Sequence, residues 1–388
     1  MLEATNEQRA WYEKMLAVCE TLDNDTVVTD DASRIFPAEK WKTIADSGVF
    51  ALPFTVERRL VDETLPAMIG AMEAVGYANA DGGLAFSVAT QLASSIIPLA
   101  RFGSAELRTR YASELGNGTL IGAHAITESD AGSDALSMAT TAVPTDDEWV
   151  LNGRKSFVSN GPIADLICVY ARTGPPGTIS ALTAFAVERG TPGLIVGKAL
   201  DKMGLHTSPL GTLALQNLRI PADRVVGQPG GGVLLLNYVM AREILLIAAG
   251  QIGQMQRLLE ACVRRANERV QFGKSIGSFQ AVSHAIADVA IGVKTSRHWV
   301  YQTTSRMAAG DDVTGEIAMT KVVVSEANIA AARTALQVFG GAGYLTSTGI
   351  ERSLRDAMAG TIYSGTSEIQ RNKIAALLGI GADRKVAW

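Results

Sequence analysis

The chain has 388 residues, 47% of them hydrophobic, with 35 Lys and Arg against 39 Asp and Glu for a net charge of −4. That length suits two or three packed units, the apolar content excludes intrinsic disorder, and the balanced charge excludes a basic footprint for nucleic acid. Cys19, Cys168 and Cys262 are too far apart to form a closely spaced zinc set, and the four histidines show no i, i+4 pair, so no metal is expected and a reduced, cytoplasmic setting fits. The N-terminal MLEATNEQRAWYEK carries both charge signs and no apolar core, so no signal peptide is expected. The richest apolar stretch, Val233 to Gly250, contains Asn237, Arg242 and Glu243 and reads as too polar for a membrane span. Thirty-eight glycines against 6% aromatic residues point to places where backbone approaches something closely.

In chain order, residues 1–120 read as a helical domain, with apolar spacing near 3.6 through Gln8–Leu22, Ala38–Ala45, Thr64–Ala78 and Leu84–Phe102. Phe54–Arg58 and Gly103–Ser104 read as connections. Residues 121–228 change to short β-rich runs, Trp149–Leu151, Leu166–Tyr170, Ala181–Val187, Leu194–Val196 and Leu213–Leu215. Turn signals at Asn152-Gly153, Asn160-Gly161-Pro162 and Pro175-Pro176-Gly177 separate them, which predicts an antiparallel barrel or sandwich. From 229 to 388 helix returns: Val233–Arg269, Phe279–Ala309 and Glu316–Phe339, then shorter helices near Ile350–Met358 and Ser367–Leu378. An antiparallel four-helix bundle follows from the short joins. The fold class is therefore multidomain α+β, ordered α, β, α.

Most candidate motifs have a plain structural reading when taken singly. Thr127–Asp134 is a polar turn that can also bring N–H groups to a ligand oxygen. Gly227–Gly232 lacks the strand–helix context of a dinucleotide fingerprint and reads as a linker opening a helix. Gln337–Tyr344 reads as a glycine helix stop and Ile362–Glu368 as a helix start, while Glu268–Gly273 can simply end a helix. Glu243 differs. Its helical neighbours Val239, Met240, Leu246 and Ile247 are all apolar. A carboxylate in such a stripe is costly unless it is paired or put to chemical use, and the adjacent Arg242 points to another face.

Together these segments resemble the acyl-CoA dehydrogenase flavoprotein family over nearly the full length. Thr127–Asp134 is similar to its T-E-P-G-A-G-S-D, with Ser129-Asp130 in place of Pro-Gly, and Asn152–Gly161 to its N-G-x-K-x-W-I-T-N-G. Lys202-Met203-Gly204, Arg269–Gly273, Gln337–Gly341 and Gly365–Glu368 follow in the family's order. The resemblance implies a homotetramer with FAD in each subunit. It places Ile126, Thr127, Gly132 and Ser133 against the flavin and pyrophosphate, with Phe157 and Ser159 along the isoalloxazine, Phe157 standing where Trp is common. Arg269, Phe272, Gln280, Gln337, Gly340 and Gly341 would reach FAD across a subunit boundary, and Thr366 and Glu368 match further cofactor positions. Ser133, Tyr363 and Gly365 would contact substrate.

The implied reaction is α,β-dehydrogenation of an acyl thioester, on CoA or on a carrier protein, with electron-transfer flavoprotein or oxygen as acceptor. The family's most familiar base is the Glu of Y-E-G-T, and here that position is Ser364. Isovaleryl- and long-chain acyl-CoA dehydrogenases and prolyl-carrier-protein dehydrogenases instead carry the base on the first long helix of the C-terminal domain. Counting back from Ile247–Gly253, that position is Glu243. The resemblance gives the Ser364 N–H, with a flavin ribityl hydroxyl, the role of oxyanion donor. Ile244 stands where Arg is common, and Ala241 replaces a polar position near the pantetheine, so a carrier-protein substrate is an open choice beside CoA. Two other readings stay open: a flavin oxidase or monooxygenase of the same fold, and a catalytically silent FAD-binding subunit, to which Ser364 points.

Overall fold

Thr5 opens the first helix with a capping box: its hydroxyl accepts from Gln8 N at 3.1 Å, and Gln8 Oε1 accepts from Thr5 N at 2.8 Å. The computed structural model describes residues 4–380; the first three residues of the N-terminal division and the last eight of the C-terminal one lie outside them. The N-terminal part runs through α1 (Asn6–Glu20), α2 (Val27–Ser33), α3 (Ala38–Asp46), α4 (Leu65–Ala78), α5 (Gly82–Gln91), α6 (Ile97–Phe102) and α7 (Ala105–Gly116). α4 and α5 are apolar nearly all round and buried, as helices enclosed by others must be. The single helix expected over Leu84–Phe102 is interrupted by a π turn at Leu92–Ile96. α2 and α7 lie where periodicity alone named no helix. Ser104, read as a connection, caps α7 by accepting from Leu107 N at 3.2 Å.

The middle region forms one sheet from β1 (Gly122–Ala125), β2 (Thr141–Pro144), β3 (Glu148–Ser159), β4 (Leu166–Arg172), β5 (Leu182–Glu188), β6 (Leu194–Val196), β7 (Leu210–Pro221) and β8 (Val225–Val226). Their order is β6-β7-β3-β2-β4-β5-β8, with β1 also on β4. The sheet is mixed, which corrects the antiparallel expectation. β1 runs parallel to β4, and β2 meets β4 in parallel at Thr141 and Arg172. The chain enters β1 straight from the helical part and returns to β4 only after the β2–β3 hairpin, so the two strands run the same way. Asn152-Gly153, expected as a turn, stays inside β3 at a register shift against β7. The reversal falls earlier, where Thr145 N donates to Glu148 O at 2.7 Å.

Strand alternation divides the sheet between two cores. Ile167, Val169, Ala171, Phe185 and Val187 pack within the β domain, while Leu166, Cys168, Tyr170, Leu182, Ala184 and Ala186 join the large core shared with the helices. Onto that second face lies α8 (Gly232–Glu268), followed by the hairpin β9 (Val270–Gln271) and β10 (Lys274–Ser275), then α9 (Gln280–Ala308), α10 (Thr314–Phe339), α11 (Ile350–Met358) and α12 (Ser367–Leu377). Two glycines set how closely α8 is seated. A Cβ on Gly232 would overlap the Leu182 backbone of β5, and one on Gly253 would overlap the Glu73 carbonyl of α4. By length and composition alone Gly82–Phe102 and Gly232–Glu268 could cross a membrane, which corrects the reading of Val233–Gly250 as too polar, but their most apolar windows are 94% and 72% buried inside the protein. Packing against the other layers therefore accounts for that apolarity.

The N- and C-terminal parts are also joined by charge. Glu73, 2% exposed on α4, accepts from Arg297 Nε at 2.9 Å and Nη2 at 2.8 Å, and from Tyr301 OH at 2.6 Å. Glu73→Ala would strand the Arg297 cation in this setting, and the expected loss is about 3 kcal/mol. Urea unfolding measures it, and an unchanged midpoint would refute the role assigned to the pair.

Candidate active site

Glu243 sits on the face of α8 that meets the sheet and is 7% exposed. Arg242 turns away to Asp62, with Nε to Oδ1 at 2.9 Å and Nη2 to Oδ2 at 2.5 Å, and lies over the Tyr238 ring. Neutralisation of Glu243 by its sequence neighbour is thereby ruled out. Instead Ser364 Oγ donates to Glu243 Oε1 at 2.5 Å. Oε2 is buried without a hydrogen bond among the described residues and faces His124 Nε2 at 3.3 Å. Burial pushes the His124 imidazole below its ordinary range, by more than the Glu243 carboxylate draws it up, so the ring is neutral at neutral pH.

The Ser364 loop is bent to make this contact. Ser364 and Gly365 have φ of +53° and +81°, a conformation that costs strain at a serine and is found where a surrounding structure enforces it. Gln370 Nε2 donates to the Ser364 carbonyl at 3.1 Å, and Thr366 caps α12 by accepting from Ile369 N at 3.2 Å. The Tyr363 phenol accepts from Gln251 Nε2 at 2.9 Å, and its ring meets Phe86 at 4.9 Å between centroids. Burial raises this phenol far above its usual range, so it is neutral. A cleft open to solvent, with about 320 Å³ of empty space, lies between α4, α5, α8 and this loop, lined by Met72, Ala85, Phe86, Ala89 and Ile247 and by the polar Gln251, Gln254, Asn328, Asp356 and Tyr363. A smaller one of about 230 Å³, bounded by Ile244, Lys321, Tyr363 and Ser364, shares Ile247, Gln251 and Tyr363 with it.

The flavin-motif residues occupy a second surface. Lys155 is fully buried and bonds Glu128 Oε1 at 2.8 Å and the Ile126 carbonyl at 2.9 Å. Glu128 also accepts from Ala139 N at 2.6 Å and Thr140 N at 3.0 Å. Burial drives the Lys155 ammonium down to about 8, against the pull of Glu128. The pair clamps residues 126–140 onto β3, where Ser156 N donates to Thr127 O at 2.8 Å. Just beyond, a register shift between Lys155 and Val158 carries Phe157, at φ +55° and 61% exposed, out to the surface. Ile126, Thr127 and Ser159 are half-buried beside it, and Gly132 and Ser133 are exposed. An exposed aromatic ring beside hydroxyls and an open glycine backbone fits a flat ring system carrying phosphates.

The other predicted cofactor residues gather at the far end of the bundle. Arg269, Phe272 and Gln280 lie on the β9–β10 hairpin and its exit, which packs on α8 and α9, with Phe272 94% exposed. Gln337, Gly340 and Gly341 are exposed at the end of α10, where Ile276 and Phe339 pack on one apolar cluster. Glu368 is exposed in the first turn of α12. Sequence reasoning missed His124, the Ser364 hydroxyl and the Glu128–Lys155 clamp. Of these, His124 left a faint local trace, a histidine set between two alanines, which means something only once β1 is known.

Profiles described as "Acyl-CoA dehydrogenase" N-terminal, middle and C-terminal domain match residues 5–119, 123–218 and 230–379. The chain is 37% identical over 379 residues to an L-prolyl-[peptidyl-carrier protein] dehydrogenase of Serratia sp., covering 97% of each. Among solved structures it is similar to the FAD complex of PigA, with a TM-score of 0.92, 35% identity and coverage of 97% of this chain and 98% of that one. It is also similar to butyryl-CoA dehydrogenase from Megasphaera elsdenii, with a TM-score of 0.90, 30% identity and coverage of 96% and 98%. Lys155→Met leaves Glu128 buried without its cation, and FAD affinity is expected to fall about tenfold or more. Titrating apoprotein with FAD by fluorescence quenching measures this; wild-type affinity would show that the clamp does not shape the cradle.

Proposed function

The chain belongs to the acyl-CoA dehydrogenase family, and from that premise we propose that it is an FAD-dependent dehydrogenase acting between the α- and β-carbons of an acyl thioester, with Glu243 as the base. The observation that carries this reading is a buried carboxylate with one oxygen held by Ser364, which itself bounds a cavity, and the other without a hydrogen bond among the described residues. Oε2 is the oxygen that takes the α-proton. Holding Oε1 fixes the carboxylate plane, so the reaction pays no cost of ordering the base. Burial of Glu243 keeps water from most of the carboxylate, which strengthens the charge interactions the proton transfer relies on. The Ser364 N–H is the proposed donor to the thioester oxygen, where charge develops as the proton leaves. FAD, when bound, supplies the acceptor for the β-hydride.

Serine at position 364 is then part of a working site. A second carboxylate there would face Glu243 at close range and hold a proton between the two groups. A hydroxyl donates instead, which opposes the silent-subunit reading. The Thr127–Phe157 cradle, with Gly132, Ser133, Ser159, Thr366 and Glu368, is the proposed flavin seat within one subunit. The exposed Arg269, Phe272, Gln280, Gln337, Gly340 and Gly341 are proposed to reach the flavin of a neighbouring copy, in a cytoplasmic homotetramer.

The substrate we favour is a compact acyl or aminoacyl group on a carrier protein. The 37% identity to a prolyl-carrier-protein dehydrogenase over 97% of the chain supports it, as does apolar Ile244 directly after the base. Anaerobic mixing with paired CoA and carrier-protein thioesters tests this by flavin bleaching; faster reduction by the CoA forms would reverse the preference. Glu243→Gln is expected to slow bleaching at least about 100-fold and Ser364→Ala about tenfold, both with FAD content unchanged. Wild-type bleaching by Glu243→Gln would remove Glu243 from the role of base. Electron-transfer flavoprotein is the proposed acceptor, and oxygen uptake that keeps pace with turnover would place the protein with the oxidases instead.

A further inference from the structure

We propose that His124 is a positioning residue for the base, its Nε2–H directed at Glu243 Oε2 so that the carboxylate is held between this ring and the Ser364 hydroxyl; the inference rests on Glu243 being the base. The placement follows from strand alternation. Ala123 and Ala125 are fully buried in the β domain's own core, so His124 between them projects through the opposite face of the sheet. It pairs in register with Cys168, which belongs to the helical core, and that is the face on which α8 lies. The His124 and Glu243 side chains are 14% and 10% exposed, with 3.3 Å between Nε2 and Oε2.

The ring has no competing employment. Its Nδ1 is buried without a hydrogen-bond partner among the described residues. The groups around the pair are Glu243 on α8, Ser364 and Tyr363 on the loop before α12, and Cys168 and Tyr170 on β4. Burial pushes the Cys168 thiol up to about 12 and the Tyr170 phenol far above its usual range, so both are neutral. Glu243 is thus the charge the imidazole faces. A neutral ring with its proton on Nδ1 would set the Nε2 lone pair against the carboxylate; the Nε2–H tautomer sets a donor there. An imidazolium would form a tight ion pair and blunt the base, whereas a neutral donor orients Oε2 and leaves it able to accept a proton. At 3.3 Å the two atoms are within reach of each other without hydrogen-bond alignment, and hydrogen bonds to a catalytic group commonly tighten only in the substrate complex.

Two substitutions separate donation from packing. His124→Phe keeps ring bulk without a donor, and His124→Gln keeps an N–H at similar reach. In anaerobic single-turnover reduction by a thioester substrate, His124→Phe is expected to be slower by about 10- to 100-fold with substrate affinity and FAD content unchanged. His124→Gln is expected to recover most of the rate. A wild-type rate in His124→Phe, or equal slowing in both variants, overturns the proposal. A second readout needs neither substrate nor turnover and covers the case in which a variant fails to fold. In wild-type holoenzyme with ¹⁵N-labelled histidine, His124 should be neutral and protonated on Nε2. Glu243→Gln should lower its titration midpoint further by removing the carboxylate's attraction. A midpoint indifferent to Glu243→Gln overturns the contact. If no thioester reduces the flavin, the dehydrogenase reading fails while the His124–Glu243 coupling stands or falls on the titration.

Discussion

Placing one carboxylate in an apolar layer is the constraint on which the other features of this molecule turn. Glu243 lies where the helical core meets the sheet, and a charge there is costly unless donors and geometry offset its lost solvation. The offset is partial. Ser364 gives one short hydrogen bond, His124 stands at 3.3 Å, and Arg242 is held away by Asp62. A fully neutralised glutamate would be a structural ion pair with little affinity for another proton. A wholly unpartnered one would be protonated already. Partial satisfaction is the state in which a carboxylate can act as a base.

Keeping that state requires α8 to be immobile. The helix is pressed onto β5 at Gly232 and onto α4 at Gly253, both at separations that admit no side chain. α4 is in turn tied to α9 by Glu73, Arg297 and Tyr301. Two kinds of glycine matter here. Some let elements of the core touch, and others, such as Gly340 and Gly341, lie open at the surface with nothing close to where a Cβ would stand. The second kind has room to face a bound group.

What the sequence made legible follows the range of the forces involved. The 3.6 period marked α8, α9 and α10 within a few residues because each buries a long apolar face, and the same period exposed Glu243 as an anomaly. Short elements left no such trace. β1 spans four residues and takes its direction from β4, some forty residues on, so neither its existence nor the mixed sheet could be read locally. Asn152-Gly153 has the composition of a hairpin turn, yet the pairing of the twelve-residue strands β3 and β7 on both sides of it overrides that. The Glu128–Lys155 clamp and the Glu243–Ser364 contact join residues 27 and 121 positions apart. Such pairs are fixed by how layers stack, which periodicity does not encode.

Ser364 shows how a departure from a family pattern becomes intelligible once its neighbours are known. In isolation, serine at the familiar base position suggests a lost activity. In the folded chain the same residue sits on a strained left-handed bend that aims its hydroxyl at a carboxylate from another helix. Two acids cannot share that space without one holding a proton, so a carboxylate on α8 and a hydroxyl donor on the loop are linked choices. The neutral imidazole on β1 extends the same logic to the sheet. Helix, loop and strand each contribute one group, and the proposed base is the carboxylate that the other two face.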